Sequence, residues 1–245
     1  LDVAPGEVVG LIGENGAGKS TLMKVLGGVV APDSGRIVID GQRHEALTVG
    51  QSLAAGIAFV HQELNLFDNL DVAANIFIGR EPRSGILKLI DKRRLHEAVR
   101  PLLERLKVDF TAETQVATLS IAQRQMVEIA KALSIAARLI IMDEPTSSLT
   151  VSETERLLGV IAELKAQGVA VIYITHRLNE VKACADRVVC LRDGVVAGAL
   201  AHDEIEHEAM IRLMIGRDLK ALYTPPRRAS ATGLEVEGLR TVLFP

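Results

Sequence analysis

The stretch 13-GENGAGKS-20 constrains this chain more tightly than any other. It fits G-x-x-x-x-G-K-[ST] and follows an apolar run, 8-VVGLI-12, that reads as a buried strand. Behind it, 19-KSTLMKVLGG-28 reads as a helix ending on glycines. With average composition the bare pattern occurs in about one chain in a hundred of this length, and the strand–loop–helix context lowers that further. Glycines let such a loop wrap so that backbone N–H groups converge, and with the helix N-terminus they cradle phosphate oxygens. The candidate phosphate-binding residues are therefore Gly13, Asn15, Gly16, Ala17, Gly18, Lys19, Ser20 and Thr21. Lys19 neutralises phosphate charge and the Ser20 hydroxyl is placed for Mg²⁺. The ligand class is a nucleotide.

Around this loop the pattern alternates strand and helix, which predicts an α/β fold with a largely parallel sheet. Strands are expected at 36-RIVID-40 (with a turn at Gly41), 57-IAFV-60, 139-LIIMD-143 and 170-AVIYIT-175. From about residue 70 to 135 the pattern becomes helical. There Asp91 caps an amphipathic helix, 92-KRRLHEAVRPLLERL-106, in which Pro101 is expected to mark a kink or a boundary. A capped helix over 152–168 should end on glycine, and Asp-Gly inside 187-RVVCLRDGVVAGAL-200 is a strong hairpin signal. After Gly216 the character shifts. Residues 217–233, with Pro-Pro and Arg-Arg, read as an exposed linker, and 234-LEVEGLR-240 reads as the first strand of a second domain over 234–245.

Composition closes off several classes. The 245 residues are 48% apolar, enough for a substantial core. A net charge of -3 argues against a broad nucleic-acid-binding face, and 3% aromatics leaves few rings on which bases could stack. The longest apolar runs, such as 169-VAVIYI-174, are too short to span a bilayer. Cys184 and Cys190 match no zinc spacing and read as buried free thiols.

Further candidates sit at strand ends. The segment 139-LIIMDE-144 ends on two acids, at the edge where an α/β fold places its ligand. Asp143 is expected to hold Mg²⁺ through water, and Glu144 to orient or deprotonate an attacking water. Gln62, just after one strand, is placed to reach Mg²⁺ or the water. His176, just after another, is placed to donate to a γ-phosphate. A lone Gln or His carries little signal by itself. In 119-LSIAQRQMVEIAKAL-133, Ser120 and Gln123 have the spacing of a capping box, which raises the question whether Ser120 is only a cap.

Taken in order, 13-GENGAGKST-21, Gln62, 119-LSIAQ-123, 139-LIIMDEPTSSLT-150 and His176 resemble the nucleotide-binding subunit of an ATP-binding cassette (ABC) transporter over about residues 1 to 216. The segments 60-VHQELNLFDNLDVAANIFIGRE-81, 125-QMVEIAKAL-133 and 141-IMDEPTSSLT-150 look like the first of two tandem cassettes in bacterial importers of the ribose, galactose and xylose type. The resemblance implies a P-loop NTPase core of mainly parallel sheet, with a small antiparallel β part and an inserted helical subdomain over about 70–135. It implies ATP as substrate with Mg²⁺, hydrolysis coupled to transport, and a position on the cytoplasmic face of the membrane. The implied partners are integral membrane permease subunits, a second cassette domain in the same chain and, indirectly, a periplasmic or extracellular sugar-binding protein, with no nucleic acid.

In this family two cassettes close head to tail, so Ser120 and Gln123 are implied to face an ATP bound by the partner cassette. Leu66 and Phe67 fall in the region implied to receive a short helix of the permease. The chain departs from the family in three places. Ile121 and Ala122 replace the two glycines of LSGGQ, and their side chains hinder close approach to phosphate. Thr150 stands where an Asp is usual, and residues 1–12 contain no aromatic to stack on adenine. These changes imply an asymmetric pair, with a strong site on this chain's own loop and a weak site served by Ser120. Two other soluble cassette classes fit less well. A ribosome-associated ATPase needs basic arms, and Arg227 and Arg228 are the only basic pair in the expected linker. A chromosome-maintenance cassette needs a coiled-coil insertion for which the stretch between Gln62 and Leu119 is too short. An amino-acid or lipid carrier remains open.

Overall fold

The structure, a computed structural model, describes residues 1–62, 64–85 and 87–216. The expected linker and second-domain strand lie outside the described residues. The chain opens with strand β1 (Val8–Ile12), helix α1 (Lys19–Leu26), a small hairpin of β2 (Ile37–Ile39) and β3 (Gln42–His44), helix α2 (Val49–Ala54) and strand β4 (Ile57–Val60). A mostly helical segment follows with α3 (Val72–Ile76), a short hairpin of β5 (Arg83–Ser84) and β6 (Leu89–Ile90), α4 (Lys92–Leu106) and α5 (Ile121–Leu133). The chain then alternates through β7 (Leu139–Asp143), α6 (Val151–Ala166), β8 (Ala170–Ile174) and α7 (Leu178–Cys184). It finishes with β9 (Arg187–Arg192), β10 (Val195–Ala201) and α8 (His207–Ile215).

One six-stranded sheet organises these elements in the order β10-β9-β1-β8-β7-β4. Every pairing is parallel except β9 with β10. The fold is therefore α/β, mainly parallel with an antiparallel edge, as the alternating pattern predicts. The central strands are buried on both faces, which is why they read as unbroken apolar runs. β1 illustrates this: Val8 packs with the helices of the 70–135 segment, while Val9 and Leu11 pack with α1 on the opposite face. At the antiparallel edge, Asp193 and Gly194 both adopt positive φ (51° and 80°), which matches the twist of a two-residue hairpin.

Two expectations need correction. Of the kink or boundary expected at Pro101, the boundary is absent: α4 runs from Lys92 to Leu106 with Pro101 inside it. Burial of Leu95, Val99, Leu103 and Leu106 along one face outweighs the single backbone hydrogen bond that proline forfeits. The 70–135 segment is also not purely helical, because β5 and β6 interrupt it. The expected cap is present, with the Asp91 side chain accepting the backbone N–H of Arg94 at 3.1 Å. The two cysteines are free, Cys190 buried within β9 and Cys184 partly buried at the end of α7. Among the described residues no helix is long and apolar enough to cross a membrane.

Candidate active site

The parallel register brings the C-terminal ends of four strands to one edge. Leu11 and Asp143 both pair with Ile174, and Val60 pairs with Met142. The loops that leave this edge carry the phosphate loop after β1, His176 after β8, Glu144 after β7 and Gln62 after β4. This edge is where an open α/β sheet binds its ligand.

β1 is fully buried and delivers the chain into Gly13 at φ 151°. A Cβ at Gly13 would stand 2.3 Å from the Leu191 carbonyl oxygen, so only glycine lets the loop turn against β9. Gly18 then precedes α1 in the left-handed region (φ 101°), and no side chain caps the helix. The first-turn N–H groups of α1 are left for an acceptor from outside, which suits an anion. The Lys19 ammonium donates to the carbonyls of Gly13 (2.7 Å) and Glu14 (3.0 Å) and so lies folded on its own loop.

A cavity of about 250 Å³ opens beside this loop, lined by Asn15 to Thr21, Gln62, Asp143 and Glu144. Half-burial, reinforced by the charge of Glu144, raises the Asp143 carboxyl above its ordinary pKa, against the opposing influence of Lys19 and His61. A divalent cation in the cavity would remove the cost of ionising it. Ser20, Gln62 and Asp143 line the same cavity and offer it side-chain oxygen donors, the chemistry that suits Mg²⁺. Glu144 takes φ 47°, uncommon for a residue with a side chain, and its N–H donates to the Ile174 carbonyl at 2.8 Å. Its Oε1 lies 3.2 Å from His176 Nδ1. His176 does not line the cavity itself; it reaches the site through Glu144, with its own ring largely exposed.

Ser120 and Gln123 are absent from this cavity. They close the N-terminus of α5 as a complete capping box: Ser120 Oγ accepts from Gln123 N at 3.2 Å, and Gln123 Oε1 accepts from Ser120 N at 2.9 Å. Gln123 Nε2 also donates to Asp109 at 3.0 Å. The Ile121 side chain stands 66% exposed beside the cap. Thr150 caps α6 by the same device with Glu153, so the residue in the usual Asp position has a structural task. Sequence reading missed His61, which stacks on Phe59 at 5.6 Å next to Gln62 and helps to offset the raised pKa of Asp143. It also missed Glu180, a buried acid beneath the same loops. Neither belongs to a recognisable spacing, so the sequence held no signal for them.

A family model described as ABC transporter matches residues 1–147. A Pseudomonas fluorescens protein named provisionally as a ribose/galactose/methyl galactoside import ATP-binding protein is 48% identical over 243 residues, 98% of this chain and 47% of that protein. The chain thus spans about half the length of the curated relatives it matches. A crystal structure of the ADP conformation of an ATP-binding cassette of an ABC transporter superposes with a TM-score of 0.75 at 26% identity, over 89% of this chain and 91% of that one. A dimeric, post-hydrolysis state of another ATP-binding cassette, bound to ADP and Pi, gives a TM-score of 0.72 at 25% identity, over 82% and 88% of the two chains. An uncapped helix behind the phosphate loop, two acids lining the same cavity and these likenesses agree on one assignment: the chain belongs to the ABC transporter family.

Proposed function

We propose that this chain is the ATP-hydrolysing part of a monosaccharide importer and the first of two tandem cassettes, working on the cytoplasmic face of the membrane with integral permease subunits. One observation carries the proposal: an uncapped helix N-terminus, a lysine and two acids line a single cavity on the ligand-binding edge of the sheet. The name of the Pseudomonas relative supports a sugar of the ribose or galactose kind; delivery by an external binding protein is part of the proposal.

ATP phosphates replace the Gly13 and Glu14 carbonyls as partners of the Lys19 ammonium, while the open N–H groups of α1 take up phosphate oxygens. Ser20, Gln62 and Asp143 would hold Mg²⁺, which when bound spreads and neutralises the negative charge of the phosphates. Glu144 orients a water and accepts its proton as the water oxygen bonds to the γ-phosphorus. The bond from that phosphorus to the bridging oxygen breaks, giving ADP and phosphate. His176 Nδ1 holds the Glu144 carboxylate at 3.2 Å. The strained φ of Glu144 costs on the order of 1 kcal/mol and is held by its bond to Ile174.

Closure on a second cassette brings Ser120 to the partner's ATP. Of the apolar pair expected at the permease contact, Leu66 is partly buried against the core and Phe67 stands 53% exposed, so Phe67 is the more open of the two to a partner. The functional test is isolation of the full-length natural chain, tagged, from gently solubilised cells. A multi-span membrane protein as the main companion, with ATPase activity stimulated by a monosaccharide, is the expected result. Ribosomal proteins without a membrane partner would leave the cassette chemistry standing and overturn the transport role.

A further inference from the structure

Glu144 and His176 sit on different loops, one after β7 and the other after β8, yet their side chains meet at 3.2 Å. Something must hold the two loops in step. Beneath them lies Glu180, on the first turn of α7 and 8% exposed. Its two carboxylate oxygens gather donors from both sides. Thr146 Oγ1, two residues past Glu144, lies 3.0 and 2.8 Å from them. From the other side come Thr175 Oγ1, just before His176, at 3.4 Å, and Arg177 Nη1, just after it, at 3.3 Å. Tyr173 Oη, wholly buried within β8, donates at 2.8 Å. The Arg177 N–H bonds back to Thr175 Oγ1 at 3.0 Å, which closes the turn around His176.

A buried carboxyl group is costly unless its oxygens are paired, and this one is paired by four residues. An ordinary core site would fill the space with an apolar side chain. Here one acceptor ties both loops that carry the cavity's acid and its histidine. The phosphate loop takes no part in this network: it is held by β1, by α1 and by the approach of Gly13 to Leu191.

We propose that Glu180 is a positioning residue that sets the Glu144–His176 pairing, and so acts on the hydrolytic step but not on nucleotide binding. This inference rests on the ATPase reading above. The test is steady-state kinetics and nucleotide binding on the full natural chain. Glu180→Gln keeps the size but turns an amide N–H₂ toward hydroxyl donors. It is expected to lower kcat at least tenfold while the affinity for ATP changes less than about twofold. In a His176→Ala background, where the pair no longer exists, the same substitution should cost no more than about twofold.

A loss of thermal stability with unchanged kcat per folded molecule would overturn the proposal, and so would an equal loss in both backgrounds. If Glu180→Gln does not fold, Thr146→Val removes a single donor. A threefold or larger fall in kcat at unchanged ATP affinity supports the clamp, and unchanged kcat overturns it. Absence of ATP hydrolysis by the unmodified chain would instead bring down the ATPase reading itself.

Discussion

Two helices in this molecule begin beside a serine and differ in how they begin. α1 starts after a left-handed glycine with no side-chain cap, and its first turn faces a polar cavity. α5 starts with Ser120 and Gln123 satisfying one another's backbone N–H groups, and the next residue, Ile121, is exposed. An open helix end is ready for an anion, because its donors have no other partner. A closed end has already spent two donors, and offers a ligand the serine's hydroxyl hydrogen and the two first-turn N–H groups that the box leaves, those of Ile121 and Ala122. The two helix ends therefore differ in the donors they leave open, which supports the proposed asymmetry between a strong and a weak phosphate-binding end.

The largest effects should fall on the open side. Lys19→Ala removes the cavity's ammonium and is expected to cost about a hundredfold to a thousandfold in turnover, together with ATP affinity, measured by phosphate release and equilibrium binding. Glu144→Gln should reduce turnover by a similar or larger factor while ATP still binds. If Glu144→Gln retained near-normal hydrolysis, the acid would not be the group that handles the water.

The closed side should respond less. Ser120→Ala removes a cap, costing about 1 kcal/mol of stability, and should lower turnover less than tenfold. Ile121→Gly sharpens the comparison from the other direction. It sacrifices about 0.5 kcal/mol of helix propensity but clears the approach to the N-terminus of α5. ATP occupancy at the weak site, followed by binding stoichiometry in the full chain, should rise. If it does not, the exposed isoleucine is not what weakens that end.

The smallest effect concerns pH. Folding raises the Asp143 pKa above its ordinary 3.8 through burial and the neighbouring Glu144. Between the unfolded and the folded value the folded state holds the extra proton, so stability falls as pH rises through that window. Nucleotide-free Asp143→Asn should therefore melt higher than the parent above the window and equally below it, in thermal scans over a pH series. A variant that melts lower at neutral pH would contradict the burial argument.

The contrast between the two helix ends also marks what the sequence could reveal. The phosphate loop, the α5 capping box and the Asp-Gly hairpin are set by residues within a few positions of each other, so their spacing betrays them. The continuation of α4 through Pro101 is decided by an apolar face buried against other elements, which local propensity does not contain. The β5–β6 hairpin rests on two residue pairs and has no alternating pattern long enough to notice. The left-handed turn at Glu144 and the Glu180 network join residues on separate strands and loops, and only the sheet brings them together. Strand ends pointed to Asp143, Glu144 and Gln62 as candidates, and all three line the cavity. They could not tell that His176 would meet Glu144 and leave the cavity wall to others.

The most direct test of the central claim compares hydrolysis by Glu144→Gln and Ser120→Ala in the full-length protein, under saturating MgATP and with folding verified for both. Near-complete loss is expected for Glu144→Gln and less than tenfold loss for Ser120→Ala. Equal and complete loss from both would mean that the two helix ends contribute alike, and the asymmetry would be wrong.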